Sequence, residues 1–322
     1  MLRMEIARSA AEIENLRTAW ERLHAGGGYS LFQSYAWNLL AARVFGAREA
    51  PRVVHVESGA GEAIVPACLT ADGRLGLLGE TLFDYRDALL SGEPEVLRRA
   101  WEALAAEGRD FSVTAVAGEA ARQQCEALGF AACFFCNAPR VRPGDLDAAQ
   151  FARAHHHSVD QLRRLKRLGA TLRLHSGEER ELVAEIYRRK AAQDIAGNLF
   201  ADPLRVEFGM AAAAMDSGCE VFTLETGTAL LAALLTYRDG GVRRLYTTWY
   251  DPQWAKYSPG NALLFEVARR SLEQGMECDL MTGEQPHKAR FATFRVPLYD
   301  VKATAQMLAE MGRGRAIQPI AA

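Results

Sequence analysis

Hydrophobic residues along the chain recur with a period near 3.6 in some segments and near 2 in others. The helical period predicts helices over residues 10–23, 33–45, 94–107 and 119–128. Short alternating or continuous apolar runs predict strands over 4–8, 52–57, 63–69, 74–78, 111–117 and 130–137. Residues 79–90, GETLFDYRDALL, break both periods and read as a loop. The turn-rich RVRPGDLD at 140–147 reads as a linker and divides the chain into domains 1–145 and 146–322. Beyond it the pattern predicts helices over 148–168, 178–196 and 203–216, then strands over 220–224, 229–238 and 242–250. A helix over 260–274, a strand over 277–281, a short helix near 287–293 and a strand over 297–303 complete it. Helices first, then an antiparallel meander, then strand–helix–strand, occur in each half. The economical reading is an α/β (α+β) chain of two tandem domains of one layout, with mixed, mostly antiparallel sheets.

The 322 residues suit two domains, and 49% hydrophobic with 24% charged residues is an ordinary globular balance. Net charge is −2, with 15 basic and 19 acidic residues up to position 145 and 23 basic and 21 acidic after it. No global field points to nucleic acid or an anionic membrane. The first fifteen residues lack the apolar core of a secretory signal, and the longest apolar run, 229–235, is far short of a membrane span. A cytoplasmic protein without a transmembrane segment is expected. Six scattered cysteines include Cys133 and Cys136, at CxxC spacing but without a second pair, and buried structural thiols are the expectation. His155, His156 and His157 are consecutive on a predicted helix, point in three directions and cannot converge on one ion, so no metal is expected. Together with Arg163, Arg164, Lys166 and Arg167 they read as a solvated face, or as an anion surface.

The stretch 250–275, YDPQWAKYSPGNALLFEVARRSLEQG, carries the most chemistry. Ser258 is a candidate N-cap, and Pro259 fits the first helical position, where its missing N–H costs nothing. The free amides of Gly260, Asn261 and Ala262 would then face the preceding loop with the positive end of the helix dipole behind them, as at an anion site. A well-capped core helix gives the same pattern. Tyr246, Trp249, Tyr250, Trp254 and Tyr257 fall within twelve residues and could wall an acyl channel or fill a core.

Three blocks in this region, Tyr257-Ser-Pro-Gly260, Asp279-Leu-Met-Thr-Gly283 and His287-Lys288-x-Arg290-Phe291, resemble the GNAT-like acetyltransferases of the cellulose-biosynthesis (CelD-like) family, relatives of the Fem-type peptidyltransferases. Phe32-Gln33-Ser34 with Trp37, and Leu78-Gly79 followed by Asp84-Tyr85-x-Asp87, are similar to the N-terminal pattern of that family. The resemblance implies two tandem GNAT-like (acyl-CoA N-acyltransferase) domains with an acyl acceptor in the cleft between them. It also implies an acyl-CoA co-substrate whose pyrophosphate sits on the helix start, with Tyr257, Ser258, Gly260, Asn261 and Ala262 as the binding residues. The usual Gln/Arg-x-x-Gly-x-Gly/Ala signature is absent, which leaves the donor open.

Acyl transfer needs a deprotonated acceptor, a stabilised oxyanion and a proton for the leaving group. Lys288, one of only five lysines against 33 arginines, is the candidate for the oxyanion. His287 has a side chain suited to acid–base work. Neighbours on a helix do not share a face, so the two are not expected to meet one substrate. Asp279 could orient Lys288 or the acceptor amine, or cap the turn after its strand. Asp84, Tyr85 and Asp87, with Trp249 and Tyr250, are candidates for holding an amine- or sugar-bearing acceptor. The function expected is an N-acyltransferase acting on an envelope- or polysaccharide-related amine or hydroxyl. The alternatives are a Fem-type aminoacyl-tRNA-dependent transferase, which the near-neutral charge disfavours, and a degenerate GNAT that only binds or scaffolds.

Overall fold

The computed structural model describes residues 2–79, 82–215, 218–227 and 229–311. The chain packs as two compact units: Met1–Cys136 with Pro297–Ala322, and Asn137–Val296. This differs from a single cut at 145/146, because the C-terminal part of the last strand returns to a ladder of the first unit.

The first unit contains β1 (Arg3–Ala7), α1 (Ala10–Glu14), α2 (Arg17–Gly26), α3 (Tyr35–Phe45), β2 (Glu49–Pro51), β3 (Val53–Ser58), β4 (Gly61–Val65), β5 (Ala67–Thr70), β6 (Leu75–Leu77), β7 (Leu89–Gly92), α4 (Pro94–Ala105), β8 (Phe111–Ala117) and α5 (Gly118–Ala127). One antiparallel sheet has the order β1-β3-β4-β7. In the other, β2, β5 and β6 are antiparallel neighbours and β6 is parallel to β8. The strand expected over 63–69 breaks at Pro66, which has no N–H for a ladder. Its halves, β4 and β5, join different sheets. The loop expected over 79–90 ends in β7, an edge strand of the first sheet. Trp101, Phe111 and Phe130 form an aromatic cluster at the core, with ring centroids 4.7–5.7 Å apart.

The chain enters the second unit along β9 (Ala131–Val141) and continues with α6 (Ala148–Ala154), α7 (His156–Arg167), β10 (Thr171–Ser176), α8 (Arg180–Ala191), α9 (Pro203–Ala214), β11 (Cys219–Thr226), β12 (Ala229–Asp239), β13 (Val242–Tyr250), α10 (Pro259–Glu273), β14 (Glu277–Asp279) and α11 (Pro286–Ala289). It leaves along β15 (Phe294–Ala303), which pairs with β8 and leads to α12 (Ala305–Met311). The sheet order is β10-β11-β12-β13-β14-β9, antiparallel except for β13 beside β14. The apolar run 231–235 is buried on both faces, as a central strand requires. On one side it meets the α10 stripe of Leu263, Val267 and Ala268 together with Leu162 and Leu165 of α7. Burying each such leucine contributes roughly 1.5–3 kcal/mol.

The single helix expected over 148–168 is two, because His155 leaves the helical conformation (φ −116°, ψ 39°). Its ring packs on Phe151 and Phe291, with centroids at 4.5 and 5.0 Å. His156 and His157 are exposed. Among the described residues no group of three His, Cys, Asp or Glu side chains could hold a metal ion. Cys133 is exposed rather than buried, and no described helix is long and apolar enough to cross a membrane.

Candidate active site

Strands β13 and β14 run parallel for only three pairs, from Val242 opposite Glu277 to Arg244 opposite Asp279. Beyond them β13 continues to Tyr250, while the other strand ends and the chain turns at Met281, in the left-handed region at φ 64°. A shift in the β12–β13 register places an extra residue, Tyr246, opposite the Leu235–Thr236 step, a bulge that re-aims the side chains after it. Strand ends that diverge in this way leave a crevice at their carboxyl ends. Here it is a cavity of about 520 Å³, walled by β13, the start of α10, the end of α8 and the turn of α11.

The start of α10 differs in detail from the expected cap. Ser258 sits in the left-handed conformation (φ 52°, ψ 50°) and its side chain caps nothing. A six-residue 3₁₀ turn, Pro252–Tyr257, feeds it, and the Ser258 amide closes that turn on Ala255 O at 2.9 Å. The Ala262 amide is not free, as had been expected: it donates to Ser258 O at 3.0 Å, and its side chain is buried in the core. Helix geometry leaves the first-turn amides of Gly260 and Asn261 without a backbone acceptor, and both residues line the cavity beside Ser258. Tyr257 is not among the lining residues. Its ring lies 4.8 Å from the Arg164 guanidinium and 5.5 Å from the ring of Trp254.

His287 and Lys288 both line the cavity, against the expectation from helix geometry, because α11 is a single turn of four residues that borders it. Lys288 Nζ donates to Thr282 O at 2.9 Å. Burial lowers the His287 pKa below its ordinary 6.5, and the charges of Lys288 and Arg290 lower it further. Lys190, at the C-terminal end of α8, also lines the cavity and went unnoticed in the sequence. Its Nζ donates to Thr248 O of β13 at 2.7 Å. Burial pulls its ammonium below the usual 10.5, and the charge of Lys288 adds to the effect. The scarcity of lysine was the signal: two of the five lysines meet here.

Asp279 is fully buried and does not line the cavity. Arg244 Nη1 donates to its Oδ2 at 2.7 Å, and the Met281 amide donates to Oδ1 at 2.9 Å. Through the Met281 amide it caps the turn after β14. Trp249 and Tyr250 do line the cavity, the first buried with the Arg189 guanidinium 5.0 Å from its ring, the second exposed beside Gly260. Asp84, Tyr85 and Asp87 belong to the first unit. Tyr85 is a core ring, 6.0 Å from Phe32, with its backbone at φ 56° and its carbonyl accepting from Gln33 Nε2. Asp84 is half-buried. Asp87 accepts the Ala88 amide at 2.8 Å, and burial raises its carboxyl to about 7.

A mixed sheet that splays between two parallel strands, beside the start of a helix, makes a pocket suited to an anionic group. Residues 153–289, which include the residues lining the cavity, match the acetyltransferase (GNAT) domain family. The whole chain has the fold of two tandem GNAT-like domains, as comparison with solved structures shows. The tandem GNAT protein of the clavulanic acid biosynthesis pathway shares 13% identity at a TM-score of 0.54, with 95% of this chain and 99% of that one covered. FemX shares 11% at a TM-score of 0.57, covering 92% and 98%. The C-terminal domain of a proposed lysylphosphatidylglycerol synthetase from Agrobacterium fabrum shares 14% at 0.60, covering 94% and 96%. At such identities the likeness is one of fold. No curated protein matches the chain by sequence.

Proposed function

We propose that the cavity of residues 137–296 moves an acyl group from an acyl-CoA thioester to an amine or hydroxyl of a small acceptor, of the kind found in envelope polysaccharides or their precursors. One observation carries this reading: Gly260 and Asn261, whose first-turn amides have no acceptor within the helix, line the same 520 Å³ space as Lys288 and His287. The amides, with the helix dipole behind them, suit the phosphates of the donor. His287, kept neutral by burial and by its cationic neighbours, suits the removal of a proton from the attacking amine. As the C–N bond forms, the carbonyl oxygen becomes an oxyanion beside the Lys288 ammonium. The C–S bond then breaks, and the thiolate leaves as CoA thiol with one proton. The tandem GNAT protein of the clavulanic acid pathway is described without acetyl-CoA in that structure, which supports a donor of this kind for a protein of the same fold. The resemblance to the CelD-like family supports the choice of acceptor class.

A melting-temperature screen against acetyl-CoA, longer acyl-CoAs, nucleotide sugars and deacylated tRNA tests the donor, followed by thiol release with amine acceptors. A ligand at a hundred times its Kd adds about 2.7 kcal/mol of stability. Stabilisation by acyl-CoA with acceptor-dependent thiol release is the expected result. Retention of tRNA without any response to acyl-CoA would move the protein to the aminoacyl-tRNA-dependent class, and binding without turnover would make it a binding protein.

A further inference from the structure

The cavity is electrostatically one-sided. Its basic lining residues are Lys190, His287 and Lys288, and among the described residues that line it there is no carboxylate. The α10 N-terminus adds the partial positive charge of two bare amides. Lys190 reaches this space from α8, and the carbonyl of Thr248 fixes its ammonium at 2.7 Å, on the strand that walls the cavity. The Lys288 ammonium is held by Thr282 O at 2.9 Å on the opposite turn. One ammonium suffices for the oxyanion of acyl transfer. Bringing a second into a half-buried space is unfavourable unless an anion shares it. The amides of Gly260 and Asn261 account for the donor phosphates, so the second ammonium is left for the other substrate.

We infer that the acceptor is an amine carrying its own anionic group, a carboxylate or a phosphate, and that Lys190 is the residue that seats this anion. The inference rests on the acyl-transfer reading above and specifies its acceptor. A simple cationic amine is repelled by the cavity, whereas an amine tethered to an anion enters with its charge balanced. Once seated, the acceptor ammonium lies near two like charges, which lower its pKa and favour the neutral, nucleophilic form. Lys190 thus selects the acceptor and helps deprotonate it without touching the reacting carbonyl, which makes it a specificity-determining residue. A lysine that merely tied α8 to β13 would contribute stability and have no bearing on which amine is used.

The test uses the full chain, acetyl-CoA and matched acceptors, with rates compared per unprotonated amine: glycine against glycinamide, and glucosamine 6-phosphate against glucosamine. The anionic member of at least one pair should show kcat/KM about tenfold or more above its neutral partner, the weight of one charged hydrogen bond. Lys190→Met should erase that preference by raising KM for the anionic member, with no such rise for the neutral member or for acetyl-CoA. Lys190→Arg should restore most of it. Which pair responds distinguishes carboxylate from phosphate. Equal use of both members by the unsubstituted protein, or an equal loss on both in Lys190→Met, would overturn the inference. Should no acceptor release thiol, the acyl-transfer reading fails, and calorimetric titration with inorganic phosphate and with acetate decides the anion site separately. Binding weakened about tenfold by Lys190→Met would uphold it, and identical isotherms would sink it.

Discussion

Gly260 offers a perturbation in which stability and binding should move in opposite directions. A Cβ built there meets Tyr250 at 3.3 Å (Cδ1), 3.5 Å (Cβ) and 3.6 Å (Cγ), and nothing nearer. The Tyr250 side chain belongs to a residue that is 42% exposed, so its ring can yield the few tenths of an ångström required. Gly260 lies in the first turn of α10, where alanine is a better helix former than glycine by up to about 1 kcal/mol. Gly260→Ala should therefore be neutral to mildly stabilising, with Tm unchanged or raised by up to about 4 °C. The same methyl stands at the rim of the cavity, against the amide proposed to receive a donor phosphate. Losing one charge-assisted hydrogen bond there is worth about 1.5–3 kcal/mol, or roughly 10- to 150-fold in donor Kd. Gly260→Val should weaken binding further and cost about 1–3 kcal/mol of stability from overpacking against Tyr250. Calorimetric titration with acetyl-CoA, paired with a denaturant melt of each variant, reads both quantities. An unchanged Kd in Gly260→Ala would place the donor phosphates elsewhere. A stability loss well above 1 kcal/mol would mean that the backbone at this helix start is not as described.

Lys288→Met keeps the side-chain stem and removes the charge. Steady-state kinetics should show kcat and kcat/KM falling together by about 10²-fold or more with donor affinity nearly unchanged, whereas a rise in KM alone would make it a binding residue. The neutral form of His287 is favoured in the folded protein, so its pKa lies below 6.5. Its contribution to stability is therefore full above pH 6.5 and is lost as pH falls from there through the folded pKa. The acid limb of kcat/KM should likewise fall below pH 6.5 and disappear in His287→Gln, and a limb that survives the substitution would assign the base to another group. Asp279→Asn removes the charge opposite buried Arg244, which retains Asp239 as a partner. A loss of about 3 kcal/mol in denaturant melts is expected, with kcat of the folded enzyme retained. A collapse of kcat at unchanged stability would return Asp279 to the chemistry.

Local patterning is read from neighbours a few residues apart, and it was sufficient for the elements that carry the site. The apolar stripe of Leu263, Val267 and Ala268, the Pro259–Gly260 start and the short turn at His287 were all legible, because helix periodicity and backbone chemistry are local properties. So was the central strand 229–238, whose buried run needs no partner to be recognised. The edge strands β7 and β10 were missed, since one is only four residues long and ends in Ser-Gly, and the other places Leu174 53% exposed. Tertiary packing decided which titratable groups meet. Asp279 was drawn into the sheet by Arg244, a partner 35 positions away in the chain, and Tyr85 into an aromatic core by Phe32. Lys190 was brought 98 positions along the chain to the cavity that holds Lys288. The splay of β13 from β14 creates that cavity, and such divergence follows from ladder pairing across the sheet, a non-local property that periodicity within either strand does not encode.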